Sequence, residues 1–146
     1  MSILKGKKVI VCDDEAFTRM EVAQMLIENG LELIALPANG RQAVEIVKSE
    51  KPDILVIDVC MPVMDGIQAA EKILEVQDMC IVILSAIRDH EVVESAKEVG
   101  VFGYVEKPVV ATKLVDTLEA AWLKFKTKHG GVRMESKESK INNIEN

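Results

Sequence analysis

Two adjacent acids, Asp13 and Asp14, directly follow the apolar run Val9–Cys12, with Glu15 next in line. A single acid, Asp58, closes the run Ile54–Ile57; Ser85 closes Cys80–Leu84; and Lys107 stands before Pro108. Carboxylates gathered in one small crevice repel each other, which favours protonation of one of them or capture of a cation. An all-oxygen site of this kind suits Mg2+. A divalent ion beside one carboxylate makes that carboxylate a plausible acceptor for a phosphoryl group, because the ion neutralises charge on the transferring oxygens. Lys107 could hold a phosphoryl oxygen as a point charge, and the small Ser85 hydroxyl could donate to another.

This chemistry requires elements that bring distant residues together. Short β-branched runs alternate with longer segments of helical period. The first strand is Lys8–Cys12, continuous and apolar, so it reads as covered on both faces. A helix follows over 16–29, with Met20, Ala23 and Ile27 on its apolar face and Gly30 at its end. The second strand, Glu32–Leu36, carries a charge and stops at Pro37, which places it at a sheet edge. Asn39 caps a helix over 40–49, and Pro52 breaks it. The third strand, Ile54–Ile57, ends at Asp58; a loop over 59–64 leads to a helix over 65–76. The fourth strand ends at Ser85, and a helix over 89–99 stops at Gly100. The fifth strand is Phe102–Glu106, and the last helix spans 111–126 with Leu114, Leu118, Ala121 and Phe125 inward.

Five βα units in succession predict an α/β domain with a doubly wound five-stranded parallel sheet. The strand order 2-1-3-4-5 is taken from the flavodoxin-like class rather than from these residues. In that order strands 1 and 3 are neighbours at the switch point, and ligands bind at the carboxyl ends of strands. All of the acids, Ser85 and Lys107 fall at such ends. Residues 1–126 form the domain; 127–146 has no apolar period, is rich in Lys, Glu, Ser and Asn, and is expected to be a disordered polar tail.

Composition narrows the field. The chain has 146 residues and a net charge of −6, so it lacks the basic stripe of a nucleic-acid binder and suits an anionic membrane poorly. Cys12, Cys60 and Cys80 are odd in number and have no metal-ligand spacing; beside apolar runs they are expected as reduced, buried thiols. No signal peptide or membrane-length apolar run is visible, and the expected location is cytoplasmic. His90 and His129 have no ligand-like companions and are expected as exposed, unspecialised residues. Met61, Met64 and Met79 read as fillers of core gaps, and Trp122 as a core cap or a partner surface.

Each chemical group has an ordinary reading when taken singly. Asp13-Asp14-Glu15 is an acidic helix start, Asp65-Gly66 a turn and cap, Ser85 a capping hydroxyl, and Lys107-Pro108 a solvated loop. Their coincidence at four strand ends is what favours a shared site.

Asp13-Asp14-Glu15, Asp58-Val59-Cys60-Met61-Pro62-Val63-Met64-Asp65-Gly66, Ser85-Ala86 and Lys107-Pro108 resemble, in order and spacing, the signature of response-regulator receiver domains of two-component signalling, over about 8–126. The resemblance implies a switch that is not a turnover enzyme, in which Asp58 is phosphorylated by a sensor histidine kinase. It implies a Mg2+ site of Asp14, Asp58 and the Cys60 carbonyl, with Asp13 acting largely through water. It implies phosphoryl contacts from Ser85 and Lys107 and a cis bond before Pro108. Tyr104 matches the aromatic that swings inward on activation as Ser85 moves toward Asp58, which would reshape the face of helix 4, strand 5 and helix 5 toward an effector protein. A monomer or a phosphorylation-dependent dimer is expected. Cys60 and Ile87 depart from commoner patterns: neither can orient an attacking water, so slow loss of phosphate is expected.

Three readings compete. The domain could stand alone and signal by protein contact. It could be the receiver part of a transcription or antitermination regulator; the stretch 83–121 resembles receivers attached to RNA-binding antiterminator domains, in Val93-Glu94-Ser95-Ala96-Lys97 and Leu118-Glu119-Ala120-Ala121. It could be a phosphatase with an aspartyl-phosphate intermediate, but such enzymes of the haloacid-dehalogenase type carry D-x-D after the first strand, whereas here the acceptor follows the third.

Overall fold

A computed structural model describes residues 2–86 and 90–129. In chain order its elements are β1 (Lys8–Cys12), α1 (Ala16–Glu28), β2 (Glu32–Ala35), α2 (Gly40–Glu50), β3 (Ile54–Asp58), α3 (Gly66–Leu74), β4 (Cys80–Ser85), α4 (His90–Val99), β5 (Gly103–Glu106) and α5 (Ala111–Lys128). The strands form one parallel sheet in the order β2-β1-β3-β4-β5. This is the flavodoxin-like arrangement expected from five βα units.

Strand alternation divides the core into two layers. Val9, Val11, Ile54, Val56, Val82 and Leu84 point to the side of α1 and α5, where Leu26, Leu114, Leu118 and Trp122 cover them. Ile10, Leu55, Ile57, Ile81 and Ile83 point to the opposite side, toward Val47 of α2, Ile73 of α3 and Ala96 of α4. The central strands β3 and β4 are buried along their whole length, which is why they read as unbroken apolar runs. Met61 and Met79 are buried in the second layer, as expected of gap fillers.

Several local expectations are corrected. In α1 the buried stripe is Val22, Ala23 and Leu26, while Met20 and Ile27 are 60% and 48% exposed. Apolar residues occur all round this helix, so a run at helical spacing could be drawn on more than one face, and contact with the sheet decides between them. α5 continues to Lys128, two residues past its expected end at Lys126. Cys60 is exposed, unlike the buried Cys12 and Cys80, because it sits in the loop after β3. His129 is exposed, as expected, but it is not without companions: it lies 3.1 Å from Asp78 and packs against Phe102 and Phe125. The segment before β1, for which the sequence raised no structural expectation, buries Leu4 completely, and Ser2 Oγ donates to Glu119 Oε2 at 2.9 Å. Ile87, Asp89 and the tail over 130–146 lie outside the described residues.

Candidate functional site

β1 and β3 are adjacent and in register, with Cys12 opposite Ile57. The next residues along each strand, Asp13 and Asp58, therefore emerge side by side at the carboxyl end of the sheet. Carboxylate oxygens of Asp13, Asp14 and Asp58 lie within 4.8 Å of one another. Asp13 and Asp58 are buried; Asp14 is exposed and opens the cluster to solvent. The Lys107 ammonium bridges the two buried acids, 2.9 Å from Asp13 Oδ2 and 3.1 Å from Asp58 Oδ1. The Lys107 N–H donates to the Ser85 carbonyl at 2.8 Å, which fixes Lys107 to the end of β4, and the Lys107–Pro108 peptide is cis. Ser85 is buried at the same rim of the sheet.

The electrostatics follow from this crowding. Burial, reinforced by the neighbouring Asp13 charge, pushes the Asp58 carboxyl above its ordinary value despite the opposing pull of Lys107. Burial works against the Lys107 charge, but hydrogen bonds and charge from Asp13 and Asp58 outweigh it, so the ammonium is held above its ordinary value. Lys107 thus contacts two of the three clustered acids, Asp13 and Asp58. The donor set is all oxygen and short of positive charge, and it fits a hard divalent ion such as Mg2+. Asp13, Asp14 and Asp58 are the side chains that would hold it.

The loop from β3 to α3 is shaped by Asp65 and Gly66, read from sequence as a turn and cap within the signature, and by residues that sequence reasoning assigned no such role. Asp65 and Gln68 form a capping box, with Gln68 N–H to Asp65 Oδ1 at 2.8 Å and Asp65 N–H to Gln68 Oε1 at 3.0 Å. Gly66 donates its N–H to the Val59 carbonyl at 2.9 Å, and a Cβ on Gly66 would lie 2.2 Å from the Asp58 carbonyl oxygen. Only glycine lets the start of α3 approach the backbone of Asp58 this closely. Gly40 plays the same part from α2, where a Cβ would lie 2.6 Å from the Met64 carbonyl oxygen. Val63 has φ +70, and Met64 N–H closes a tight turn onto the Pro62 carbonyl at 2.7 Å. Gly66 was visible within the D-G pair; Gly40 left no signal beyond its place after the Asn39 cap.

Asp13, Asp14, Asp58 and Lys107 are thus brought into one pocket, with Ser85 at its rim. Cys60 sits two residues beyond Asp58 with its thiol exposed. Tyr104 is half-buried against the second core layer and lines a cavity of about 220 Å³ with Val93, Ala96, Val101, Phe102 and Lys124. It lies on the α4 side of β5 and is not one of the clustered acids, although it also lines a cavity with Glu106, Lys107 and Pro108.

An acid pocket at the switch point of a doubly wound sheet defines a domain whose chemistry lies between β1 and β3. The profile of the family described as "Response regulator receiver domain" matches residues 9–119, and the chain belongs to that family. It is similar to the transcriptional regulatory protein PdtaR of Mycobacterium tuberculosis, with 37% identity over 120 residues, covering 82% of this chain and 58% of that protein. It therefore spans a little over half the length of that relative. It is 34% identical over 112 residues to the chemotaxis protein CheY of Bacillus subtilis, covering 76% of this chain and 93% of that protein. Among solved structures, the signal receiver domain of a modulated diguanylate cyclase from Desulfovibrio desulfuricans superposes with a TM-score of 0.77 at 26% identity, covering 85% of this chain and 99% of that one. Members of this family are phosphorylation-dependent signalling switches rather than turnover enzymes, and no described helix is long and apolar enough to cross a membrane.

Proposed function

We propose that this domain accepts a phosphoryl group on Asp58 from a phosphohistidine of a sensor kinase and passes the signal on by changing shape. The observation that carries the reading is the Lys107 ammonium bridging Asp13 and Asp58, with Asp14 within 4.8 Å. A carboxylate oxygen of Asp58 attacks phosphorus, the phosphorus–nitrogen bond breaks, and the imidazole leaves with the electron pair and takes up a proton. Lys107 favours the ionised form of Asp58 against the opposing effect of burial, and afterwards holds a phosphoryl oxygen; the Ser85 hydroxyl holds a second. Asp14, Asp58 and the Cys60 carbonyl would hold Mg2+, with Asp13 acting largely through water. When bound, the ion supplies charge neutralisation for the transferring oxygens.

Movement of Ser85 toward the phosphoryl group leaves space that Tyr104 fills, changing the face of α4, β5 and α5 that meets an effector. Cys60 offers only a weakly hydrogen-bonding thiol beside the site, so the phosphorylated form persists for many minutes. The domain works in the cytoplasm by protein contact and needs no nucleic-acid or membrane surface of its own. It acts as a monomer or as a dimer formed on phosphorylation. The likeness to a transcriptional regulatory protein favours a second reading of the output, in which the switch controls gene expression through an attached segment. Continuation of the open reading frame past Asn146 tests that reading.

The phosphorylation reading is tested by intact mass after incubation with Mg2+ and acetyl phosphate. The parent gains one phosphoryl group, and neither Asp58→Asn nor a chelator-treated parent gains any. Equal gain by Asp58→Asn rules out Asp58 as the acceptor.

A further inference from the structure

We propose that Arg19 is a positioning residue for the acid pocket: from α1 it fixes the main chain that carries Asp13 and Asp14. The proposal rests on the reading of the pocket as a Mg2+ and phosphoryl site. Two of the three clustered carboxylates come from the short junction between β1 and α1. Their aim depends on how firmly that junction is held.

Helix capping does not hold it. α2 and α3 begin with side-chain caps, from Asn39 to Gln42 N–H and from Asp65 to Gln68 N–H, whereas Glu15 at the start of α1 makes no such bond. Two other contacts replace the cap. Asp13 Oδ1 accepts the Glu15 N–H at 2.9 Å, which uses one carboxylate oxygen for local structure and leaves Oδ2 to Lys107. Arg19 Nη1 donates to the Asp13 carbonyl at 2.6 Å. Its guanidinium is thus anchored on the first turn of a helix and holds the junction from behind. Its own backbone N–H is tied to the Glu15 carbonyl at 3.0 Å.

The burial of this side chain points the same way. Arg19 is half-buried, and its Nε has no hydrogen-bond partner among the described residues. A buried unpaired N–H is costly, so the guanidinium sits where it serves the Asp13 carbonyl rather than its own full solvation. The guanidinium makes this hydrogen bond to the Asp13 carbonyl charge-assisted. Groups that orient metal ligands from outside typically change affinity by 10–100-fold when removed.

Arg19→Met keeps the apolar stem and removes the donor. Calorimetric titration with Mg2+ is expected to show affinity roughly 10-fold weaker than the parent's, at the lower end of that range, with Arg19→Lys recovering part of the loss. Phosphorylation by acetyl phosphate should be slow at low Mg2+ and return to the parent rate at saturating Mg2+. A merely structural role would instead lower the rate at every Mg2+ concentration. In metal-free protein, hydrogen exchange at the Glu15 amide should be faster in Arg19→Met, with the midpoint of thermal unfolding little changed. Unchanged Glu15 exchange, or an unchanged Mg2+ affinity where the parent binds Mg2+, overturns the proposal. A parent that binds no Mg2+ refutes the functional reading instead, and the Glu15 exchange still decides the role of Arg19.

Discussion

The two ends of the sheet are built on opposite principles. At the carboxyl end, Asp13 and Asp58 are buried beside each other with one ammonium between them, and α1 starts without a side-chain cap. At the amino end, Trp122 stacks on Phe125 at 5.6 Å, Phe102 meets Phe125 edge-on at 5.6 Å, and Lys7 and Lys126 lie over the Trp122 ring at 5.2 and 5.4 Å. Leu4 and the His129–Asp78 pair close the same end. One end holds like charges together at a cost in stability; the other gathers apolar area, aromatic contacts and cation–π pairs that offset it. Charge removal should therefore help the first end, and truncation should hurt the second.

The largest effect is expected at the aromatic end. Trp122→Ala should lower unfolding free energy by about 3–5 kcal/mol in denaturant titration, while the folded fraction binds Mg2+ as the parent does. A loss of Mg2+ affinity in the folded variant would mean that the two ends are not independent. Gly66→Ala comes next. Its Cβ has no room beside the Asp58 carbonyl, so overpacking should cost about 1–3 kcal/mol and slow phosphorylation as well. Parent-like stability together with a parent-like rate would show that the loop gives way easily.

Asp58→Asn should do the reverse. It removes one of two buried like charges and should raise metal-free stability on the order of 1 kcal/mol at neutral pH. Asp58 holds its proton more tightly folded than unfolded, so parental stability falls as pH rises from the ordinary carboxylate range through the raised folded value. The advantage of the variant should open over that window and vanish below it. Thermal melts at several pH values, without metal, check the sign. The smallest perturbation is chemical. Burial pushes the Cys12 and Cys80 thiols up to about 12, so at pH 8 roughly one in ten thousand of each is thiolate. An alkylating reagent should therefore modify native protein once, at Cys60, and denatured protein three times. A second native adduct at Cys12, the last residue of β1, would show that the acid end opens; one at Cys80, the first residue of β4, would show that the amino end does.

The sequence reading succeeded where a residue type and a strand end coincide. Continuous apolar runs specified β1, β3 and β4, and the acids, Ser85 and Lys107 that follow strands could be assigned to one rim before any coordinates. It fell short where packing, rather than pattern, makes the choice. The inward face of α1 is Val22, Ala23 and Leu26 because the sheet and α5 lie there, and spacing alone allowed Met20 and Ile27 as well. Leu4 was hidden in a polar segment. Gly40 and Arg19 act through backbone atoms of residues distant or merely nearby in sequence, Met64 and Asp13, and a backbone contact leaves no mark on residue type. Cys60 was grouped with the buried thiols because its apolar neighbours belong to a loop, not to the strand.

The central claim is that groups from the ends of β1, β3 and β5 make one pocket that delivers a phosphoryl group to Asp58. The most direct test is to treat the protein with Mg2+ and acetyl phosphate, reduce the acyl phosphate with borohydride, and sequence the peptides by mass spectrometry. The account predicts homoserine at position 58 alone, and none when Mg2+ is chelated. Homoserine at Asp13, Asp14 or a surface acid, or unmodified Asp58 in Mg2+-saturated folded protein, would contradict it.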